Sequence, residues 1–246
     1  MPGEGRTLLF KRWQVASEFR MHPLHQCMPD VKSKLIGPAN GVALDLFSDT
    51  GDLETYASTN LDAVFSVISN PKDLKTMRER TPSRPVTKVS CFPLNTNSGL
   101  SFVRAYLTSL DVCTVWIYMN RFQFDIVSFE NLMCTLYPLL QDDANVFLLC
   151  IDKGLALQYA KSHLLYVDRD QNILMHYHRQ PLSNILEISE IKQCCERNGY
   201  IHETAIRGDE ILHMMKLNAL PYDIWSSQIF FLLQFKLRPH FTKLVY

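Results

Sequence analysis

The stretch GVALDLFSDTGDLE, Gly41 to Glu54, decides how the chain is read. Val42 to Phe47 is a short apolar run broken only by Asp45, the length and composition of a strand covered on both faces. Ser48, Asp49, Thr50, Gly51 and Asp52 follow, turn-forming residues at which a strand gives way to a helix that Asp52 can cap. In open α/β sheets ligands sit beyond the carboxyl ends of the strands, where a tight turn lets the backbone approach and the next helix offers unpaired N–H groups. Asp45 to Leu53 stands in such a place.

Outward from this stretch, strand-type runs alternate with helix-type segments. DAVFSVIS (62–69) is a second strand stopped by Asn70-Pro71, and KDLKTMRER (72–80) holds helix formers without a breaker. VTKVSCF (86–92) alternates as a strand, GLSFVRAYLTSL (99–110) has helical spacing, and VCTVWIYM (112–119) is β-branched and aromatic like a central strand. SFENLMCTLYPLL (128–140) predicts a helix opening at Ser128, and NVFLLCID (145–152) another strand. HLLYV and ILMHYHR then flank the polar turn Asp168 to Asn172 as an antiparallel hairpin. A helix at 187–197, a strand at 200–206 and a helix at 209–217 complete the pattern. The expectation is an α/β fold: a mostly parallel, Rossmann-like sheet with helices on both faces and a late antiparallel hairpin. The segment MHPLHQCMPD divides an N-terminal element, 1–30, from a single α/β domain, 31–246.

Composition narrows the function classes. With 25 basic and 25 acidic side chains among 246 residues, no whole-molecule field draws the chain to nucleic acid or an anionic membrane, so a nucleic-acid contact has to be local. The apolar run Leu8 to Phe10 is cut by Lys11 and Arg12, too short for a signal peptide. The tract Ile224 to Leu237 is interrupted by Ser226, Ser227, Gln228 and Gln234 and falls short of the roughly 20 residues that span a bilayer. Seven cysteines, most of them inside apolar segments, fit a reducing compartment, cytoplasm or nucleus.

The stretch VALDLFSDTGDL resembles the first motif of class I S-adenosylmethionine-dependent methyltransferases, an apolar strand ending in an acidic residue and a glycine-containing turn. On that resemblance Asp45 corresponds to the acidic residue, and Phe47, Asp49 and Gly51 to the three turn positions, of which only Gly51 is glycine here. Asn70, at the end of the second strand, stands where the family places an acidic residue for the ribose hydroxyls. The resemblance implies S-adenosylmethionine as cofactor, with later strands in the family's order. There is no Asp/Asn-Pro-Pro-Tyr/Phe motif of amino-methylating members, and a catalytic set like that of ribose methyltransferases would use Lys153 with a carboxylate such as Glu203. Lys34 precedes the motif, closer than that family's first lysine.

Other groups compete. Lys72, Lys75, Arg78, Arg80, Arg84 and Lys88 oppose only Asp73 and Glu79, a basic face suited to RNA phosphates or simply to solvent. His22, His25 and Cys27, with His176 and His178, are metal-capable residue types without a closed ligand spacing. Pro29-Asp30, Asp30-Val31-Lys32 and Asp73-Leu74-Lys75 resemble fragments of metal-dependent nuclease motifs. Cys194-Cys195 lies beside Lys192 and Arg197. The C-terminal tract, apolar nearly all round a helix, reads as a buried element or as a surface for a protein partner or self-association. A non-catalytic scaffold that docks a partner through this tract is therefore the alternative function.

Overall fold

The computed structural model describes residues 23–36, 40–47, 53–68, 74–79, 86–91, 112–119, 124–156, 158, 174–175, 180–181, 185–216 and 227–238. Among these, seven strands make one sheet: β1 (Val42–Leu46), β2 (Ala63–Ile68), β3 (Val86–Cys91), β4 (Val112–Tyr118), β5 (Leu140–Ile151), β8 (Tyr200–Arg207) and β9 (Phe230–Leu237). Two-residue strands β6 (Leu174–Met175) and β7 (Gln180–Pro181) pair only with each other. The sheet order is β3-β2-β1-β4-β5-β9-β8. Pairings from β3 across to β5 are parallel, whereas β9 runs antiparallel to both β5 and β8. The chain thus builds outward from β1 to one side and from β4 to the other, leaving a switch point between these two neighbours.

Burial explains the apolar strands. All seven residues of β4 and the last six of β5 are buried, as expected where helices cover both faces of a sheet. On one face lie α1 (Pro23–Ile36), the 3₁₀ helix Leu53–Ser58 and α5 (Gly208–Met214), with the Lys34 ammonium reaching Met215 Sδ at 3.6 Å. On the other lie α3 (Ile126–Leu136) and α4 (Ile188–Arg197), tied to the sheet by the Tyr200 hydroxyl, which donates to the Met133 carbonyl at 2.8 Å. The short α2 (Leu74–Glu79) joins β2 to β3. At the edge, β8 exposes Ile201, Glu203, Thr204 and Ala205, and a register shift between His202 and Thr204 interrupts its ladder with β9. Such a bulge blunts an edge that would otherwise template further pairing.

Two expectations are corrected. The apolar C-terminal tract is not a helix: Phe230–Leu237 is β9, inserted between β5 and β8, where strands flank it on both sides. An apolar run buried on both faces of a sheet has the same pattern as a helix apolar all round, and periodicity alone does not separate them. Helix α3 begins at Ile126 rather than Ser128; its cap is Asp125, whose carboxylate accepts from the Ser128 backbone N–H at 2.6 Å. That bond holds the Asp125 carboxyl below the ordinary carboxylate range. The expected late antiparallel element is present, as β9 against β5 and β8; of the hairpin expected around 168–172, Leu174 and Met175 are in a strand paired antiparallel with Gln180–Pro181, and the rest lies outside the described residues. The helix expected at 99–110 also lies outside them. Helix α1 runs through residue 30, where the sequence suggested that the N-terminal element ends.

Candidate functional site

Asp45 sits in β1 between Ser66 of β2 and Trp116 of β4, and is fully buried. Its Oδ2 accepts from the Lys32 ammonium at 2.8 Å and from the Tyr56 hydroxyl at 2.9 Å. Lys32 is equally buried, and its ammonium lies 4.8 Å from the ring centre of Tyr118, 5.4 Å from Tyr56 and 5.5 Å from Trp116. Neither charge survives alone away from water; the opposite charge, the hydroxyl and the electron-rich ring faces together offset the desolvation. Each partner arrives for a local reason. Met28, Val31 and Lys32 share the inward face of α1, and Tyr56 comes from the 3₁₀ helix that follows the turn after β1.

Phe47 closes β1. Its φ is 67°, in the left-handed region where a non-glycine residue costs about 1–2 kcal/mol. The backbone therefore turns as a glycine would at this position. The Phe47 N–H donates to the Val67 carbonyl at 2.6 Å, carrying the β1–β2 ladder one residue into the turn. The side chain is turned inward at 7% exposure, edge-on to Phe124 with ring centres 5.7 Å apart, and Phe124 is in turn edge-on to Phe129 of α3 at 5.9 Å. The aromatic contact thus joins the end of β1 to the segment that follows β4.

Of the remaining expected site residues, Asp49, Gly51 and Asn70 lie outside the described residues. Lys153 is half-buried just past the carboxyl end of β5, at the same end of the sheet as Phe47. It opens a helical turn, 153–156, that Asp152 caps by accepting from the Leu155 N–H at 2.7 Å. Glu203 is elsewhere. It lies on the bulge of β8 and pairs with Lys236 at 3.1 Å, while Lys236 stands opposite Asn145, midway along β5, and Ile201 of β8. With β9 between them and several residues of strand rise, Lys153 and Glu203 are separated by on the order of 20 Å. The expected lysine–carboxylate pair is not assembled, because the register of β9 holds Glu203 level with Val146 and Phe147 in the middle of β5, well short of the strand end where Lys153 stands and two strands across from it.

Among the described residues, no three His, Cys, Asp or Glu side chains converge as a metal site. Cys27 is buried on the inner face of α1, and burial pushes its thiol up to about 11. The pair Cys194-Cys195 is buried as well: desolvation pushes Cys194 up to about 11 and Cys195 well above its ordinary value, so both remain protonated thiols despite the cations nearby in sequence. Cys134 donates to Asn198 Oδ1 at 2.8 Å, packing α3 onto the end of α4. On the basic face, Lys75 and Arg78 are exposed on α2, and Lys75 pairs loosely with Glu79 at 3.8 Å. Lys72, Arg80, Arg84 and the side chain of Lys88 lie outside the described residues.

Comparison with solved structures agrees with this layout. The chain superposes on an S-adenosylmethionine-dependent methyltransferase from Clostridium acetobutylicum at a TM-score of 0.56 and 10% identity, covering 95% of this chain and 98% of that one. It is similar to magnesium protoporphyrin IX methyltransferase from Synechocystis, a structure with bound S-adenosylhomocysteine, at 0.55 and 11% over 87% and 84% of the two chains. A TehB-like methyltransferase from Corynebacterium glutamicum matches at 0.52 and 10% over 97% and 100%. The chain has a class I methyltransferase-like fold. In this fold the opening stretch is the first strand and its turn, with Asp45 at the carboxyl-end half of β1 and Phe47 at the start of the turn. No protein-family model matches the chain, and no curated protein matches it in sequence.

Three site residues that sequence reading missed are Lys32, Tyr56 and Tyr118. A signal for Lys32 was present: a lone cation falls among Cys27, Met28, Val31 and Ile36 on the apolar face of α1.

Proposed function

We propose that this methyltransferase-like chain binds S-adenosylmethionine beyond the carboxyl ends of β1 and β2, and that RNA is the acceptor it works on. The observation that carries this is the turn at Phe47: a glycine-like backbone bend two residues after a buried acidic residue, at the switch point between β1 and β4. The support for the cofactor lies in the backbone, the glycine-like turn at the end of β1. Asp45 and Lys32 form a buried ion pair beneath this turn, and they reach a ligand's amino-acid moiety only by exchanging their mutual contact for it. Asp49 and Gly51 in the turn and Asn70 after β2 are the further candidates for holding the nucleoside.

When bound, the cofactor supplies an electrophilic methyl group on sulfur. The chain's own part is to position an acceptor against it, so proximity and orientation supply much of the rate. Lys153 is at the right end of the sheet to orient an acceptor or take up a proton at its amine, and it does so without Glu203. Lys75 and Arg78, with Lys72, Arg80, Arg84 and Lys88, bind phosphates. Their replacement weakens RNA binding evenly across sequences and lowers the salt slope by about one per phosphate no longer neutralised.

Calorimetric titration with S-adenosylmethionine tests the cofactor site, using the wild-type chain and the paired variant Lys32→Met/Asp45→Asn, which leaves no buried charge behind. Saturable binding weakened at least about tenfold in the variant supports the site, since a factor of ten corresponds to about 1.4 kcal/mol, within the range of one charge-assisted hydrogen bond. Unchanged affinity removes Asp45 and Lys32 from it.

A non-catalytic role has one observation in its favour, the phenylalanine side chain at a turn position where close backbone approach suits glycine. The C-terminal docking surface that went with that role is not favoured: Phe230, Leu232, Leu233 and Phe235 are buried inside the sheet.

A further inference from the structure

We infer that Phe47 and Phe124 form a latch across the switch-point crevice, and that a nucleoside ligand carrying a sulfonium or thioether is admitted when this aromatic pair separates. The inference rests on the cofactor reading above and adds how the site is controlled.

Three observations converge on it. First, β1 and β4 are the neighbours at which the chain changes its direction of strand addition, the place where open α/β sheets receive ligands. Second, Phe47 leaves β1 and Phe124 follows β4, so their edge-on contact at 5.7 Å ties one wall of that crevice to the other. Third, Phe47 makes this contact from a backbone at φ 67°, a conformation bulky residues avoid and glycine adopts freely. Strain of this kind persists only where surrounding contacts over-determine it, and it concentrates at ligand clamps and switches. Here the over-determining contacts are the Phe47 N–H bond to Val67 and the edge-on series of rings Phe47–Phe124–Phe129, both rings of the latch being less than a tenth exposed.

The latch has a mechanical anchor. Phe124 immediately precedes Asp125, the cap of α3, and Phe129 lies one turn into that helix, so the Phe124 ring is held by α3 and not by a free loop. Opening therefore moves the Phe47 side chain or shifts the first turn of α3. A ligand that binds only the open form has its apparent affinity reduced by the open fraction.

The test is calorimetric titration of S-adenosylhomocysteine into the wild-type chain, Phe47→Gly and Phe124→Leu, with circular dichroism confirming that each is folded. The two variants loosen the latch from opposite walls; Phe47→Gly also releases the backbone strain, while Phe124→Leu keeps apolar volume in place. The expected result is tighter binding in both, by roughly three- to tenfold, the factor that separation of one aromatic pair represents. If wild type binds and either variant binds no more tightly than it does, the latch is overturned and the cofactor site stands. Absence of binding in all three folded proteins overturns the cofactor reading and the latch with it.

Discussion

Removing one member of the Lys32–Asp45 pair should cost far more than removing both. The two groups meet at 2.8 Å with no exposure on either side, so at an effective dielectric near 20 their gross attraction is about 6 kcal/mol. Much of that is offset by desolvation of the charges, and the net contribution of such a pair relative to well-packed apolar groups is near zero. Truncating a single partner is different. Asp45→Ala leaves the Lys32 ammonium buried under Tyr56, Trp116 and Tyr118 with its principal counter-charge gone, and Lys32→Met leaves a buried carboxylate whose Oδ2 keeps the Tyr56 hydroxyl but no opposite charge beside it. Each single change is expected to cost about 3–5 kcal/mol, a large fraction of the roughly 5–15 kcal/mol that holds a domain together. Lys32→Met/Asp45→Asn is expected to recover most of it, giving a coupling of at least about 3 kcal/mol. Urea unfolding of the four proteins of the cycle, with Asn at position 45 in the second single variant, measures it, and unchanged m-values confirm that stability alone has moved. Additive effects within about 0.5 kcal/mol would refute the pairing, because residues in direct contact through buried charges do not behave independently.

Further expectations concern the rest of the framework. Leu233, fully buried in the middle of β9, should lose about 2–5 kcal/mol on Leu233→Ala in the same unfolding assay, whereas Val127→Ser on exposed α3 surface should stay within about 0.5 kcal/mol. His202 has its pKa lowered, first by burial and then by Lys192, and its Nε2 is buried with no hydrogen-bond partner among the described residues. A depressed folded value means that the unfolded chain binds the proton more readily, so this contribution to stability is complete above about pH 6.5, the ordinary histidine value, and declines as pH falls toward the folded one. His202→Phe should flatten that decline in pH-dependent thermal unfolding. Cys27, Cys194 and Cys195, all buried with raised pKa values, should react with a thiol reagent at neutral pH only on unfolding, and prompt labelling of any of them in the native protein would contradict their placement.

Much of the fold was legible because its parallel strands are buried on both faces. VALDLF, DAVFSVIS, VTKVSCF, VCTVWIYM and NVFLLCID all fall on observed strands, since short apolar runs bounded by turn residues have few other uses. The same property hid β9, whose pattern of Phe and Leu on both faces is that of a buried helix. Only its pairing with both β5 and β8 distinguishes the two. At the start of α3, Ser128 and Asp125 are both capping residues, and the carboxylate is the one that meets the backbone N–H. The site was legible in its chain-local part: Asp45 and Phe47 are recognisable as the last residues of a strand and the first of a turn. Lys32, thirteen residues earlier, becomes part of it only once α1 is laid across β1. Glu203 stands apart from Lys153 for the converse reason, since a plausible residue type near the chain's late strands says nothing about which strand will lie between them or at what level it will pair.

The most direct test of the central claim is a titration of S-adenosylhomocysteine followed by backbone amide chemical shifts. Binding at the switch point predicts saturable shifts concentrated at Asp45, Leu46, Phe47 and the neighbouring end of β2 at Val67 and Ile68, with Glu203 on β8 and Lys236 on β9, across the sheet beyond β5, unmoved. Shifts confined to the Glu203–Lys236 side of the sheet, or none at millimolar ligand, would contradict it.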